Sequence, residues 1–225
     1  MFKSVILSCE HAGNQVSEDL EHLFSKNPEV LNTHRGWDPG AWKLAQFLSK
    51  KLNIDLRGCH TTRLLIEANR SPENPQLFSE YSNKLSETEK EILVNTIYHP
   101  YRNKVEGLIA QSAKPVLHLS IHSFTPFWNG VERDVDIGIL FDPDRTLENE
   151  YCQQLKLAFQ KELPNHCIKL NEPYKGTDDG FTTWLRKRYP NKVYAGIEIE
   201  VNQKYAPQLS VIQQEFFLAI EASLK

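Results

Sequence analysis

The run Val116-Leu117-His118-Leu119-Ser120-Ile121 is apolar and β-leaning, and it breaks off into His122-Ser123-Phe124-Thr125-Pro126. A continuous apolar strand is characteristic of a parallel sheet that is covered on both faces. The segments Val5–Ser8, Val135–Phe141 and Val193–Val201 share this character, and helical patterns alternate with them. That alternation predicts an α/β sandwich built on a mainly parallel sheet. In such sheets ligands sit beyond the carboxyl ends of the strands. Cys9-Glu10-His11-Ala12-Gly13-Asn14, Asn69-Arg70 and Glu198-Ile199-Glu200 also stand where an apolar run ends, so four chemistry-bearing segments are expected to converge.

A length of 225 residues suits one domain over residues 1–225 with a sizeable core. The net charge of −3 argues against a broad nucleic-acid surface. No apolar run is long enough to span a bilayer, and Met1–Ser8 reads as a strand rather than a signal peptide. The four cysteines form no CxxC pair, which fits buried thiols in a reducing cytoplasm better than a disulfide scaffold.

Residues 11–37 read as irregular, with a short helix near Ser17–Phe24. Asp38-Pro39 reads as N-cap and first turn of a helix ending about Leu52, with Trp42, Ala45, Leu48 and Leu52 on one face. Strands are expected at Ile54–Leu56 and Arg63–Ile66, a helix over 86–110 interrupted at Pro100, and a loop through Pro126–Gly130. Helices at 148–163, 181–188 and 209–224 and a short strand at 167–170 complete the pattern.

His11 and His122 are the candidate metal ligands, because a strand end fixes where an imidazole points. A catalytic zinc site takes three His or carboxylate ligands and leaves one position open. Asp38 is the preferred third ligand, at the mouth of a helix expected behind the first strand; Glu10 and Asn14 remain contenders. His118 shares a strand face with His122 and is a possible neighbour behind the ligands. Glu198 and Glu200 alternate with Ile197, Ile199 and Val201, so both carboxylates point to one face, and one of them suits a general base. Asn69 and Arg70, with Arg63, suit a two-point grip on a carboxylate, and Arg133 is a further anion-binding candidate. Neither Ser120 nor Ser123 lies in a Gly-x-Ser-x-Gly elbow, which disfavours a serine hydrolase.

The set Cys9–Asn14, Trp37–Ala41, Thr62–Arg70, Tyr98–Tyr101 and His122–Pro126 resembles the N-formylglutamate amidohydrolase family in content and order. Asp136–Leu140 and Asn171–Tyr174 extend the likeness over nearly the whole chain. A more distant likeness is to the zinc carboxypeptidases, through His122-Ser123-Phe124, Ala68-Asn69-Arg70 and a glutamate on a late strand, Glu200. In those enzymes the first His is followed three residues later by a Glu ligand. Asn14 stands there in this chain, and a loop inserted after His11 would bring Asp38 to the glutamate's place.

The resemblance implies a three-layer sandwich with a mixed, mainly parallel sheet, of the zinc-carboxypeptidase and phosphorylase/hydrolase-like kind. It implies metal-dependent removal of formate from N-formylglutamate, a step of histidine degradation. His11, Asp38 and His122 would hold one Zn²⁺, a site type that also accepts Mn²⁺ or Fe²⁺. Glu200 would be the base, and Arg63, Asn69, Arg70 and Arg133 would bind a small acidic substrate. Hydrolysis of another N-acyl amino acid or peptide fragment, or carboxylate binding without catalysis, are the alternatives.

Overall fold

A computed structural model of the protein describes residues 2–225, so Met1 of the expected opening strand lies outside it. In chain order the elements are β1 (Ser4–Cys9), α1 (Ala41–Leu52), β2 (Leu56–Gly58), α2 (Glu87–Leu93), α3 (His99–Gln111), β3 (Val116–Phe124), β4 (Phe127–Trp128) and β5 (Val131–Glu132). They continue with β6 (Ile137–Leu140), α4 (Thr146–Glu162), β7 (Ile168–Leu170), α5 (Phe181–Arg186), β8 (Tyr194–Asn202) and α6 (Gln213–Ser223). The main sheet has the order β2-β1-β3-β8-β6-β7, and β4 and β5 form a separate hairpin. Every neighbouring pair in the main sheet is parallel except β6 with β8. This is the expected α/β sandwich on a mixed, mainly parallel sheet.

The sheet has two covered faces, and side-chain alternation decides which residues serve each. On one face Leu117, Leu119 and Ile121 of β3 pack with Leu44 and Leu48 of α1, Leu155 and Phe159 of α4, and Phe216 and Ile220 of α6. Each of these side chains, fully buried, contributes on the order of 1.5–3 kcal/mol. On the other face Val105 and Ile109 of α3 and Phe181 and Leu185 of α5 cover Ile6, Val116 and Tyr194. His118, Ser120 and His122 point to this second face, as do Glu198 and Glu200 of the adjacent β8. Among the described residues, no helix is long and apolar enough to cross a membrane.

Several boundaries differ from the sequence reading. Asp38 is not the N-cap of α1. Gly40, at φ 88°, takes that position, and the left-handed backbone there suits a residue without a Cβ. The Asp38 carboxylate is thereby released from capping. Trp42 and Leu52 are only partly buried, whereas Ala41, Leu44, Ala45 and Leu48 form the inner face. The strand expected at Ile54–Leu56 forms two residues later, at Leu56–Gly58.

Arg63–Ile66 is no strand. Its backbone bonds locally and to loops, with Leu65 N–H donating to Thr62 and Arg63 N–H to Gly36. Leu64, Leu65 and Ile66 bury themselves in a separate cluster with Phe24, Val30, Leu77, Leu85 and Tyr98. The break in helix 86–110 is a π-helical stretch, Val94–Tyr98, ahead of Pro100, whose missing N–H interrupts the regular ladder. β3 runs on to Phe124, so His122 lies within the strand and not after it. The loop after it holds the hairpin. The closing helix begins only at Gln213, because Gln203–Val211, with Pro207, forms 3-10 turns.

A candidate metal centre at the strand ends

His11 follows β1, and His122 lies near the end of the neighbouring β3. Between their rings stands Asp38. Its Oδ2 is 3.2 Å from His11 Nδ1 and 3.0 Å from His122 Nδ1. One ligand atom from each of the three residues lies within 4.8 Å of the others, and all three residues are buried. In a tetrahedral site with metal–ligand distances of about 2.0–2.1 Å, ligand atoms are spaced by about 3.3 Å. The His–Asp spacings fit that geometry.

Each imidazole is backed by a second carboxylate. Glu10 Oε2 is 3.0 Å from His122 Nε2, and Glu67 Oε1 is 2.5 Å from His11 Nε2. A neutral histidine that donates from Nε2 to its backing carboxylate keeps a lone pair on Nδ1, the atom turned towards Asp38. Glu10 is itself held by the Tyr101 hydroxyl at 2.6 Å and by Ser120. Glu67 accepts from Arg63 Nε at 2.6 Å and from the Asn69 N–H at 3.1 Å.

Burial raises the pKa of Glu10, Asp38 and Glu67, but their basic partners outweigh it: His122 for Glu10, His11 and His122 for Asp38, Arg63 and His11 for Glu67. All three therefore stay ionised. Conversely, burial lowers the pKa of both histidines, yet Asp38 with Glu10 raises His122, and Glu67 with Asp38 raises His11 against Arg63. With the imidazoles neutral, as metal ligation requires, the three carboxylates outnumber Arg63, and a divalent cation would balance that difference in place of two imidazole protons. The donor set fits such an ion.

Glu200 pairs with His122 in the β3–β8 register. It is 6% exposed, and its Oε2 is buried with no hydrogen-bond partner. Burial, joined by the charges of Asp38 and Glu198 and opposed by His122, pushes its pKa up to about 7. Glu198, the other candidate base, is engaged: its Oε1 accepts from the Thr182 hydroxyl at 2.5 Å. The antiparallel neighbour of Glu200 is Gly138. A Cβ there would overlap the Glu172 carbonyl oxygen and lie 3.3 Å from Glu200 Cβ, so glycine lets the 171–176 loop close against the site.

A cavity of about 510 Å³ opens over this floor and is lined by His11, Asp38, His122, Glu198 and Glu200, with Asn69 and Arg70 on its wall. Arg70 donates to the Asp179 carbonyl oxygen, and Asn69 Oδ1 accepts the Phe181 N–H at 2.7 Å. Arg63 also borders the cavity but is tied to Glu67 at 2.5 Å and to Asp38 at 3.4 Å. Its charge is shared with these two carboxylates at the cavity wall. Arg133 lies beside the main cavity, in an adjoining recess.

The other contenders separate clearly. Asn14 donates to Leu31 O at 2.9 Å and to Asn32 Oδ1 at 3.2 Å, away from the three ligands. Glu10 stands behind His122. His118 bonds Ser8 Oγ at 2.7 Å and the Tyr194 hydroxyl at 2.8 Å, two repeats deeper in the sheet. Its pKa falls to about 4, chiefly through burial. Sequence reasoning gave Glu67 no role. Its signal is a carboxylate four residues after Arg63, inside an apolar run and two residues before Asn69.

A model of the N-formylglutamate amidohydrolase family matches residues 3–206. No curated protein matches the chain. Among solved structures, the chain is similar to gene product Atu2144 from Agrobacterium tumefaciens, with 28% identity, a TM-score of 0.82, and coverage of 98% of this chain and 90% of that one. Weaker likenesses include a metallo-carboxypeptidase from Burkholderia cenocepacia, with 10% identity, a TM-score of 0.41 and coverage of 99% and 56%. Another is murine aminoacylase 3, with 12% identity, a TM-score of 0.41 and coverage of 99% and 65%.

Proposed function

The chain belongs to the N-formylglutamate amidohydrolase family, and from that premise we propose that it is a metal-dependent hydrolase converting N-formylglutamate and water to formate and glutamate. One observation carries this reading. A buried His11–Asp38–His122 cluster and an unpartnered Glu200 carboxylate oxygen share one cavity.

His11, Asp38 and His122 would hold the ion, Zn²⁺ in this reading. Bound there, it supplies Lewis-acid polarisation of the scissile carbonyl and acidifies water. Glu67 and Glu10 fix the two imidazoles with Nδ1 facing the ligand cluster. Glu200 takes the proton of the attacking water through its free Oε2 and delivers it to the leaving nitrogen as the C–N bond breaks. A pKa near neutrality suits both halves of that transfer. Arg70 and Asn69 hold the substrate carboxylate and orient the amide, and Arg63 instead steadies Asp38 and Glu67. The free cysteines Cys9, Cys59, Cys152 and Cys167 suit the reducing cytoplasm as its location.

The test is elemental analysis of untagged, chelator-free protein, coupled to formate release from N-formyl-L-glutamate. About one zinc per chain, lost together with turnover in His122→Ala, is the expected result. Full turnover without bound metal would overturn the metal-dependent reading.

A further inference from the structure

A second recess, of about 600 Å³, adjoins the cavity and shares Trp128 and Tyr174 with it as walls. Its other walls are Asn129, Val131, Arg133 and Pro173. The hairpin β4–β5 supplies Trp128, Asn129 and Val131 and leaves Trp128 54% and Val131 68% exposed. Arg133 stands among three rings, 5.5 Å from Phe124, 5.2 Å from Trp128 and 5.2 Å from Tyr174. Its Nη1 donates to Thr125 O and to the Tyr174 hydroxyl, both at 3.2 Å. Its Nε and Nη2 have no protein partner among the described residues.

This is an open, mostly apolar recess with a guanidinium in its wall, and a formyl group, with one carbon, has no use for it. Planar aromatic groups stack on guanidinium and indole surfaces. The recess borders neither Asn69 nor Arg70, which hold the amino-acid carboxylate in the reading above. With the α-carboxylate held by Asn69 and Arg70, the acyl group on the far side of the scissile amide is the part assigned to this recess.

We infer that the Trp128–Arg133–Tyr174 recess is an acyl subsite for an aromatic N-acyl group, extending the substrate class from N-formyl to N-aroyl acidic amino acids. The inference rests on the amidohydrolase reading for the orientation of the substrate.

The test uses metal-loaded Glu200→Gln protein, to stop turnover, and titration calorimetry with N-benzoyl-L-glutamate and N-formyl-L-glutamate. Burying a phenyl ring predicts that the benzoyl compound binds roughly tenfold or more tightly. Adding Val131→Asp, at a position that lines only the recess, should abolish that gain and leave N-formyl affinity unchanged. Equal affinities for the two compounds, or a gain that survives Val131→Asp, would overturn the subsite.

Turnover of N-formyl-L-glutamate by the unmodified protein is measured in parallel. Turnover with equal affinities sinks the subsite alone. A benzoyl gain without turnover of either compound keeps the subsite and sinks the hydrolase reading. Binding of neither compound sinks both.

Discussion

Glu200 and His122 are direct partners in the parallel β3–β8 register, so the unpartnered carboxylate and one metal-ligand candidate are fixed to each other by two central strands. Neither residue depends on a loop for its place. Rigid strands hold a reacting group to a tolerance that loops do not match.

Glu200→Gln should retain the bound metal and lower kcat by about 10²-fold or more, in line with general acid–base contributions. A base must be ionised, so activity should rise with pH on its acidic limb. Burial places the Glu200 pKa at about 7 in the structure, and a cation held by the adjacent ligands favours the carboxylate, moving that limb to 7 or below. A pH profile of kcat/KM checks this. Activity that increases as the pH falls through this range would remove Glu200 from the role of base.

Glu67→Gln keeps the shape of the side chain but removes the charge behind His11. Metal affinity should fall roughly 10- to 100-fold, read by competition against a chromophoric chelator. The half-buried Arg63 also loses its closest ion pair, so a lower thermal midpoint should accompany the change. Unaltered affinity would mean that His11 needs no orienting partner.

Arg70→Ala should raise KM for acidic substrates at least tenfold, as expected when a charge-assisted hydrogen bond is lost, with a smaller change in kcat. Steady-state kinetics on the acidic substrate and its neutral amide counterpart give the comparison. An equal effect on both would show that Arg70 shapes the wall through Asp179 and grips no carboxylate.

Gly138→Ala would place a methyl group against the Glu172 carbonyl and beside Glu200. The displaced backbone carries the 171–176 wall, so kcat/KM should fall by an order of magnitude or more, with a destabilisation of roughly 1–3 kcal/mol. Urea unfolding and kinetics on the same preparation measure the two. Native behaviour in both would show that the loop yields freely.

Much of the scaffold was legible locally. The apolar runs at 116–121 and 193–201 are the two central strands, and their alternation placed His118 and His122 on one face and Glu198 and Glu200 on the other strand's matching face. Asp38-Pro39 misled as a helix start, because a good N-cap followed by proline is a local signal. The decision fell instead to Gly40, whose left-handed backbone lets the chain turn into α1 with the Asp38 side chain free. Arg63–Ile66 misled in the opposite way. Its apolar residues pack into a loop cluster, and its backbone bonds to turns and loops rather than to the sheet.

The sequence by itself determined the sheet's core strands, the covering helices and the types of residue available for chemistry. Period-two and helical patterns are local and survive without knowledge of the fold. Only the tertiary structure decided which groups meet. Asp38 reaches His11 across 27 positions and His122 across 84, while Glu67 reaches His11 across 56. It also turned Glu10 from a contender for the metal into the support of His122, and matched Arg63 to Glu67 and Asp38. These assignments follow from how buried charges find partners, a property of the folded interior that no local pattern encodes.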